Sequence, residues 1–299
     1  MRGETLADFG KRWIAHRNIK DSTRALYADQ FEKHIEPALG QIPIAALTLD
    51  DVNRWHAKLL PGKARVRSQT YGLLRAICGS AVEADLLTKN PCAIKGAGNT
   101  NRKREPVLLS VAELAAVAEA IKPERFKAFV LISGWGAMRF GEVIELRRKD
   151  ISDGCETITV ARGAYHLKGC HVGPTKSGKS RVVVLPPHIR ADVKHHLDTF
   201  VDPNPNALLF PTTRSGCHLA QNVFREAFAK ACKSVGREGV NVHALRHFGA
   251  TMAARVGATP AEVQARLGHS TFKAAMAYQH SEATRQHEIA AALSAMAEQ

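Results

Sequence analysis

The chain has 299 residues, of which 45% are hydrophobic and 23% are charged. This length is enough for two domains with cores of their own, and the composition is typical of a soluble globular protein. The longest apolar runs, such as residues 129–132 and 182–185, are far too short to cross a bilayer, and the N-terminus lacks the apolar segment of a signal peptide. We therefore expect neither a helical membrane protein nor an exported one, and predict a cytoplasmic location.

The chain is strongly basic. Its 42 lysine and arginine residues exceed the 28 acidic residues, which gives a formal net charge of +14 at pH 7. Such an excess produces a positive field that attracts polyanions, and nucleic acid is the most common polyanion that proteins bind. The charge favours a nucleic-acid-binding protein over one that is basic for an unrelated reason.

The cysteines predict neither a disulfide framework nor a zinc site. No two of them are spaced as CxxC, and a chain without an export signal is expected to keep its thiols reduced. We expect buried or inert thiols at all six positions. They are Cys78, Cys92, Cys155, Cys170, Cys217 and Cys232.

Residues 1–92 are predicted to form a small all-α domain. Thr48 with Asp51 gives a capping box before one helix, and a longer helix at residues 68–87 ends before Pro91. The apolar residues at helical spacing are Leu6, Phe9, Trp13 and Ile14 in the first helix, and Leu26, Phe31 and Ile35 in a second, which we expect to open at Ser22 and to end before Gly40.

Residues 93–107 are predicted to form a basic linker. The segment is rich in glycine and asparagine and contains four consecutive charged residues at 102–105, so we expect it to bury little apolar surface. Its basic residues could lie along the DNA phosphates, or the segment could be a solvated tether. The two interpretations are compatible.

Residues 108–299 are predicted to form a domain that is mainly α with a small antiparallel β-sheet, an α+β fold. Ser110 and Glu113 form a capping box at its start, and turn signals at residues 173–174 and 177–178 separate its strands. We predict strands at residues 157–160, 165–172 and 181–185, and helices at residues 124–134, 191–200, 219–235, 243–256, 260–267 and from 271 onward.

Four short segments of this domain carry residues that can hold a phosphate. They are residues 136–142, 175–181, 243–247 and 267–269, and Tyr278 follows the last of them. Arg139 and Arg246 can clamp the non-bridging oxygens of a phosphodiester with charge-assisted hydrogen bonds. His243 lies three residues before Arg246, so a helix places both on one face.

The other residues supply a nucleophile and proton donors. Tyr278 can attack phosphorus to form a covalent phosphotyrosine, which stores the bond energy for rejoining. Lys176, in a tight turn, can protonate the leaving oxygen, while His243 and His269 can donate hydrogen bonds or shuttle protons. Together they suffice for phosphoryl transfer with no metal and no other cofactor.

Each segment alone has a simpler interpretation. Arg139 could be a surface arginine, Tyr278 a core residue, and residues 175–181 an ordinary basic hairpin. His243 and His247 have the spacing of a zinc-binding helix, but the glutamate of that motif is missing and an intervening arginine would repel a cation. The four segments in this order are far more specific than any one of them.

At these residues the sequence resembles the tyrosine recombinases, also called the phage integrase family. The resemblance covers essentially the whole chain and is most specific in the second domain, whereas residues 1–92 match the family's core-type DNA-binding domain in size and helical character only. The matching motifs are RxxE from Arg139 to Glu142, Lys176 in the β-turn, HxLRH at residues 243–247, LGH ending at His269, and YxH starting at Tyr278.

The resemblance implies a role for each matched residue. The two arginines, Arg139 and Arg246, would bind the scissile phosphate, with His243 and His269 contacting it and assisting proton transfer. Lys176 would be the general acid for the 5′-hydroxyl leaving group. Tyr278 would be the nucleophile and would form a 3′-phosphotyrosyl bond.

Two further residues have supporting or competing roles. Glu142 is expected to orient Arg139 rather than to react. Lys179 shares the turn with Lys176 and competes with it, but the family lysine typically follows a threonine, which favours Lys176.

The resemblance also implies a partner and an assembly. Family members act as homotetramers on double-stranded DNA, exchange strands in pairs through a Holliday junction, and need neither ATP nor metal. The helical domain starts almost at Met1, so we expect binding to core-type attachment sites without a separate arm-binding domain. Residues 281–299 carry an apolar helical stripe, which would pack either on a neighbouring protomer or on its own domain.

The function expected from all this is a site-specific recombinase, with a phage or prophage integrase favoured. Chromosome dimer resolution and transposon movement are alternative roles for the same chemistry. A type IB topoisomerase-like enzyme shares the chemistry but is less suited to this two-domain layout. A sequence-specific DNA-binding protein that does not cleave is the alternative from a different class.

Overall fold

A computed structural model of the protein describes residues 3–99, 107–166, 169–212 and 217–268. The chain divides into two compact units, Met1–Arg104 and Glu105–Gln299. In the described parts of the chain, no helix is long and apolar enough to cross a membrane.

The first unit is entirely helical, as expected. Thr5 caps the first helix and Thr48 closes a capping box with Asp51 at the fourth. The helices are α1 (Leu6–His16), α2 (Asp21–Gln30), a π-helical turn (Phe31–Ile35), α3 (Glu36–Leu39), a 3₁₀ turn (Ile44–Ala46), α4 (Leu49–Lys58) and α5 (Ala64–Glu83).

The core of this unit forms around Phe31, which is completely buried. A side chain at Gly10 would place its Cβ 2.5 Å from the Phe31 ring, so glycine there lets α1 lie directly against the ring. Leu26, predicted to share the buried face, is instead 48% exposed. The prediction was wrong because Leu26 lies five residues before Phe31 and nine before Ile35, spacings that place it on another side of a helix.

Part of the predicted linker packs against α5. The Ile94 N–H donates to the Tyr71 hydroxyl at 2.9 Å, and Ser68 Oγ donates to the Gly98 carbonyl at 2.7 Å. Ile94 also packs against the core of the first unit. Residues 93–99 therefore bury apolar surface that the sequence did not predict, and the basic stretch of residues 102–105 lies outside the described residues.

The second unit is built around helix α7, whose residues 128–134 are all buried, and combines helices with short antiparallel strands. Capping boxes begin α6 at Ser110, as predicted, and α12 at Thr259. Its helices are α6 (Val111–Ala120), a 3₁₀ turn (Glu124–Phe126), α7 (Lys127–Trp135), α8 (Phe140–Val143), a 3₁₀ turn (Arg148–Asp150), α9 (Pro187–Phe200), α10 (Gln221–Ser234), α11 (His243–Arg255) and α12 (Pro260–Leu267).

Close packing of α7 and α11 sets the position of the HxLRH segment, residues 243–247. A Cβ on Gly249 would lie 2.1 Å from the Gly134 carbonyl oxygen, so only glycine allows the two helices to approach this closely. Phe129 fills the opposite side of α7, with its ring centroid 3.9 Å from that of Phe224. The middle of α11 is thereby held beside the end of α7.

The strands form two antiparallel pairs rather than one sheet of three strands. Strand β1 (Thr157–Val160) pairs with β4 (Arg181–Val184), and β2 (Arg162–His166) pairs with β3 (Cys170–Pro174). The middle strand predicted at residues 165–172 is thus the end of one strand and the start of another. The hairpin β2–β3 leads directly into the turn that carries Lys176.

Cysteine pairing differs from the expectation. Cys170 and Cys217 are paired as a disulfide, with their Cα atoms 6.0 Å apart. Local sequence patterns do not predict this pair because the two residues are 47 positions apart. The other four cysteines are free and buried, as predicted: Cys78, Cys92, Cys155 and Cys232.

Candidate active site

Arg139 lies in the turn between α7 and α8 and is fixed by Glu142. Its backbone N–H donates to Glu142 Oε2 at 3.0 Å, and its Nη1 donates to Oε1 at 2.8 Å. Ala137, two residues earlier, has a φ of +51° and is fully buried. A residue with a side chain seldom adopts this left-handed conformation, and such strain is often found at functional sites.

Glu142 is buried among three arginines. Besides Arg139, it receives a hydrogen bond from Arg181 Nη2 at 2.7 Å, and Arg246 Nη1 lies 3.9 Å away. Burial by itself would raise the pKa of Glu142, but the hydrogen bonds from Arg181 and Arg139 outweigh it and lower the pKa below its usual value. The carboxylate is therefore ionised at neutral pH and holds the arginines in place, as expected from the sequence for Arg139 alone.

Arg246 is the most deeply buried charged side chain at this site, with only 2% of its surface exposed. Its Nη1 donates to the Ala137 carbonyl and its Nη2 to the Leu267 carbonyl, both at 2.7 Å. Arg139 Nη1 lies 3.4 Å from the same Leu267 oxygen. The two predicted phosphate-binding arginines therefore converge on one point.

That point is the C-terminal end of α12. Gly268, with a φ of +60°, caps the helix in the left-handed conformation. The carbonyl groups at a helix C-terminus carry partial negative charge, which attracts cations. Arg139, Arg246 and Arg181 all donate to carbonyls of residues 266–268, so the arginine cluster holds the chain immediately before His269.

His243 and His247 lie one turn apart on α11, with their ring centroids 4.6 Å apart. His243 is at the surface, yet the surrounding protein and then the positive charges of His247, Arg246 and Arg139 lower its pKa to about 4. Burial and Arg246 also lower the pKa of His247. Both rings are therefore neutral at pH 7 and can accept or donate a proton.

Lys176 lies in an exposed turn between β3 and β4. Thr175 anchors this turn: it is 1% exposed, and its hydroxyl donates to the Lys179 carbonyl at 2.7 Å. Gly178, with a φ of +76°, allows the chain to reverse. Lys176 and Lys179 are both exposed, and within the described part of the chain neither forms an ion pair. The turn is firmly anchored, but its two lysines are equally accessible.

Two predicted site residues, His269 and Tyr278, lie outside the described residues. The structure therefore brings Arg139, Arg246 and His243 together, and connects the Lys176 turn to them through Arg181, which begins β4. The positions of His269 and Tyr278 relative to these groups remain predictions.

Arg181 was inside one of the segments selected from the sequence but was assigned no role. Its side chain bonds both to Glu142 and to the Arg266 carbonyl, at 2.7 and 2.9 Å. A signal for this existed in the strand pattern. Alternate residues of a strand face the same side, so Arg181 shares the face of Val183, which is buried.

A second buried acid, Glu145, was also missed. It is 1% exposed and accepts hydrogen bonds from Arg147 Nε at 2.9 Å and Arg162 Nε at 3.0 Å, and it also pairs with His218. Burial alone would raise the pKa of Glu145, but the hydrogen bonds from His218 and the two arginines outweigh it and hold the pKa below its usual value. The carboxylate is therefore ionised. This network ties the start of β2 to the segment that precedes α10.

A helical unit followed by an α+β unit with clustered arginines, neutral histidines and an exposed lysine is the layout that the motifs predict for an enzyme that cleaves and rejoins DNA strands. Residues 109–285 match the Phage integrase family, and residues 5–60 match the Phage integrase N-terminal SAM-like domain. The first match alone covers more than half of the chain. The chain belongs to the phage integrase family of tyrosine recombinases, which cleave and rejoin DNA.

Curated relatives agree with this assignment. The chain is 40% identical over 299 residues to a protein named putative prophage phiRv2 integrase of Mycobacterium tuberculosis, with 99% of this chain and 80% of that protein covered. It is 39% identical over 299 residues to the integrase of Mycobacterium phage D29, with 98% and 79% covered. The resemblance stated from the motifs and the expected enzyme class are both confirmed.

Solved structures show the same fold. The Tn1549 transposon integrase in complex with a circular intermediate DNA superposes with a TM-score of 0.79 at 19% identity, covering 96% of this chain and 99% of that one. A lambda integrase dimer bound to a COC′ core site superposes with a TM-score of 0.71 at 19% identity, covering 92% and 95%. The predicted fold class, mainly α with small antiparallel sheets, is confirmed.

Proposed function

We propose that this recombinase is the integrase of a phage or prophage, and that it cleaves core-type DNA sites with Tyr278. The observation that carries the proposal is the convergence of Arg139 and Arg246 on the Leu267 carbonyl at the end of α12, two residues before His269. The high identity to proteins named as phage and prophage integrases supports the biological role.

The two arginines would bind the scissile phosphate. A phosphodiester gains negative charge on its non-bridging oxygens as it is attacked, and guanidinium groups fixed in advance stabilise that charge without reorganisation. Arg246 is fixed by two backbone carbonyls and Arg139 by Glu142. A guanidinium presents its five N–H donors in a rigid planar fork, the geometry that pairs with the oxygens of a phosphate.

Proton transfer would fall to the groups around this clamp. Tyr278 Oη would attack phosphorus and the bond to the 5′ oxygen would break, with Lys176 donating a proton to that oxygen. His243, neutral at pH 7, and His269 would contact the phosphate and take up or return the tyrosine proton. Attack by the 5′-hydroxyl of a partner strand on the 3′-phosphotyrosyl bond would then reverse these steps and rejoin DNA.

The partner would be double-stranded DNA, bound by a homotetramer in the cytoplasm of a bacterial host. The net charge of +14 predicts that affinity falls as salt rises, because lysines and arginines displace counterions from the phosphate backbone. Strand exchange in pairs through a Holliday junction requires four active sites on two duplexes, which is the reason for proposing a tetramer.

A nicked attachment-site duplex tests the proposal. When Tyr278 cleaves beside the nick, a short fragment diffuses away and the protein stays covalently attached to the 3′ end. We expect a covalent protein–DNA band on denaturing electrophoresis with wild-type protein and with Tyr165→Phe, and none with Tyr278→Phe. A band that persists in Tyr278→Phe would rule out Tyr278 as nucleophile, and binding of a cognate site without any band would favour a non-cleaving DNA-binding protein.

A further inference from the structure

Three metal-ligating side chains lie together outside the proposed active site. His166 ends β2, Cys170 begins β3, and Cys217 lies in the segment that precedes α10. One ligand atom from each residue lies within 4.8 Å of the other two. His166 is exposed and the two cysteines are half-buried, so an ion could reach them. The proposed mechanism uses none of these residues.

We propose that His166, Cys170 and Cys217, in their reduced state, bind one thiolate-preferring divalent cation of the zinc class. Zinc lies about 2.3 Å from sulfur and about 2.0 Å from nitrogen, so ligand atoms around one ion are at most ~4.6 Å apart. The three ligand atoms lie within 4.8 Å of one another, so opening the disulfide and a shift of the side chains would bring them to that spacing. Two thiolates and an imidazole are the donors that select zinc over magnesium or calcium, and water would complete the tetrahedron.

The surroundings of His166 support its role as a ligand. Its Nε2 lies 3.0 Å from the His218 carbonyl oxygen. With the proton on Nε2 donated to that carbonyl, Nδ1 keeps the lone pair that a cation requires, and this outer hydrogen bond is usual for metal-bound histidines. His218 is itself held by the buried Glu145, so the carbonyl that orients His166 belongs to a fixed segment.

The structure shows the oxidised state of the cysteine pair, a disulfide with its Cα atoms 6.0 Å apart, and the metal site needs the reduced state. A disulfide accounts for the two cysteines but leaves the third donor, His166, without a role. In the reducing cytoplasm, where the proposed function places the protein, thiols stay reduced and a Cys–Cys–His cluster is the more common basis of a metal site. The inference rests on the proposed function in this respect only.

The cation would join two parts of the chain that meet at the hairpin. Strand β3 runs from Cys170 to Pro174 and continues into the turn anchored by Thr175, which carries Lys176. On the other side, Cys217 belongs to the segment held by Glu145. A cation shared between Cys170 and Cys217 would therefore restrict the hairpin that positions Lys176.

Zinc titration of the full-length protein tests this site. The protein is treated with a reductant and a chelator, dialysed, and titrated with Zn²⁺ in competition with a chromophoric chelator. We expect one equivalent per chain, loss of this binding in Cys170→Ser and Cys217→Ser, and at least ~10-fold weaker binding in His166→Ala, by comparison with the effect of losing an outer-shell group. The control variants Cys155→Ala and His195→Ala should bind as wild type.

A second measurement, the rate at which the cysteines are alkylated, uses the wild-type protein. Alkylation of the reduced wild-type protein, followed by mass spectrometry, should show that Zn²⁺ slows modification of Cys170 and Cys217 at least ~10-fold, because a metal-bound thiolate is a poorer nucleophile. Equal modification with and without saturating Zn²⁺, or one equivalent bound by the Cys170→Ser/Cys217→Ser double variant, would overturn the proposal. A reduced protein that binds no Zn²⁺ but closes the disulfide when treated with oxidised glutathione would assign the pair to redox chemistry instead. These readouts do not depend on DNA cleavage, so loss of the Tyr278-linked band would leave them unchanged.

Discussion

The arginine clamp (Arg139 and Arg246) and the lysine turn (residues 175–179) differ in how far their positive charges are exposed to solvent. Arg246 is 2% exposed and bonded to two carbonyls, and Glu142 holds Arg139 and Arg181 beside it. Lys176 is exposed, although the threonine before it is buried. A group that binds an anion throughout the reaction gains from being fixed, whereas a proton donor must reach an atom that moves away. The difference in burial therefore matches a difference in proposed role.

The strongest test of this contrast is Lys176→Ala. Because general acid catalysis typically contributes ~10²- to 10⁴-fold, we expect single-turnover cleavage to slow by about that factor. The free energy of unfolding should change by less than ~0.5 kcal/mol, since the side chain is exposed. Rates are measured with the nicked duplex, and unfolding is measured in urea.

A matched variant and a modified substrate make this test specific. Lys179→Ala removes the other lysine of the turn and should leave the rate within a few-fold of wild type. A substrate with sulfur in place of the 5′ bridging oxygen has a leaving group that needs no proton, so it should restore cleavage by Lys176→Ala. If Lys179→Ala is the slower variant, or sulfur gives no rescue, the assignment of the general acid to Lys176 is wrong.

Arg246→Lys should affect both activity and stability. Lysine keeps the charge but cannot direct separate N–H groups at Ala137, Leu267 and a phosphate. Loss of one preorganised donor typically costs ~3 kcal/mol of transition-state stabilisation, so cleavage should slow by about 10²-fold. The midpoint of urea unfolding should also fall, unlike that of Lys176→Ala.

Thermal or urea unfolding without DNA separates the two effects. A wild-type cleavage rate in Arg246→Lys would show that the proposed phosphate clamp is wrong. Wild-type stability combined with slow cleavage would instead show that the carbonyl contacts of Arg246 position its guanidinium group but do not stabilise the fold.

Glu142→Gln tests whether the clamp depends on one carboxylate. The substitution preserves shape but removes the charge that faces Arg139, Arg181 and Arg246. Breaking a buried ion pair typically costs ~3–5 kcal/mol, and we expect a loss in the free energy of unfolding near the lower end because glutamine still accepts hydrogen bonds. Glu113→Gln, at the exposed cap of α6, should cost less than ~1 kcal/mol in the same urea titration.

Cleavage by Glu142→Gln adds a second readout. Arg139 would lose its orienting partner, so its rate should fall even under conditions where the variant is fully folded. A stable variant with a wild-type rate would contradict the view that Glu142 positions the arginines.

The sequence predicted those parts of the site that follow from local pattern and motif. Arg139, Lys176, His243 and Arg246 were predicted from motifs that match the family, and their roles stay predictions, whereas the capping boxes at Thr48 and Ser110 followed from a three-residue rule and are confirmed. Helix ends of this kind depend on neighbouring residues only, which is why they can be read directly from the chain.

The features that escaped prediction depend on contacts between distant parts of the chain. Arg181 gains its role from Glu142, 39 positions earlier, and Cys170 meets Cys217 only through the hairpin. The exposure of Leu26 was missed because apolar character was taken as evidence of burial without checking helical phase. The partners of Arg181 and Cys170 are set by packing, and a single sequence contains no direct signal for them, whereas the exposed face of Leu26 follows from helical phase.

The contrast between buried and exposed charged groups also applies to two adjacent histidines, His195 and His196, and to the protons they bind. His196 is 2% exposed and lies at hydrogen-bond distance from the Leu209 carbonyl, and burial lowers its pKa to about 4, whereas the adjacent His195 is exposed. In the unfolded chain His196 should titrate near the usual value of about 6.5. Between these values the unfolded state binds more protons than the folded state, so the free energy of unfolding falls as pH falls from about 6.5 to about 4.

Replacing His196 should remove this pH dependence. A shift from 6.5 to about 4 corresponds to about 3 kcal/mol at most, fully lost at pH values below 4. Urea titrations from pH 7.5 to 4 should therefore show a smaller slope for His196→Phe than for wild type, while His195→Ala keeps the wild-type slope. Equal slopes for wild type and His196→Phe would mean that another group titrates on acid unfolding, and that burial of a neutral imidazole does not control the acid stability of this unit.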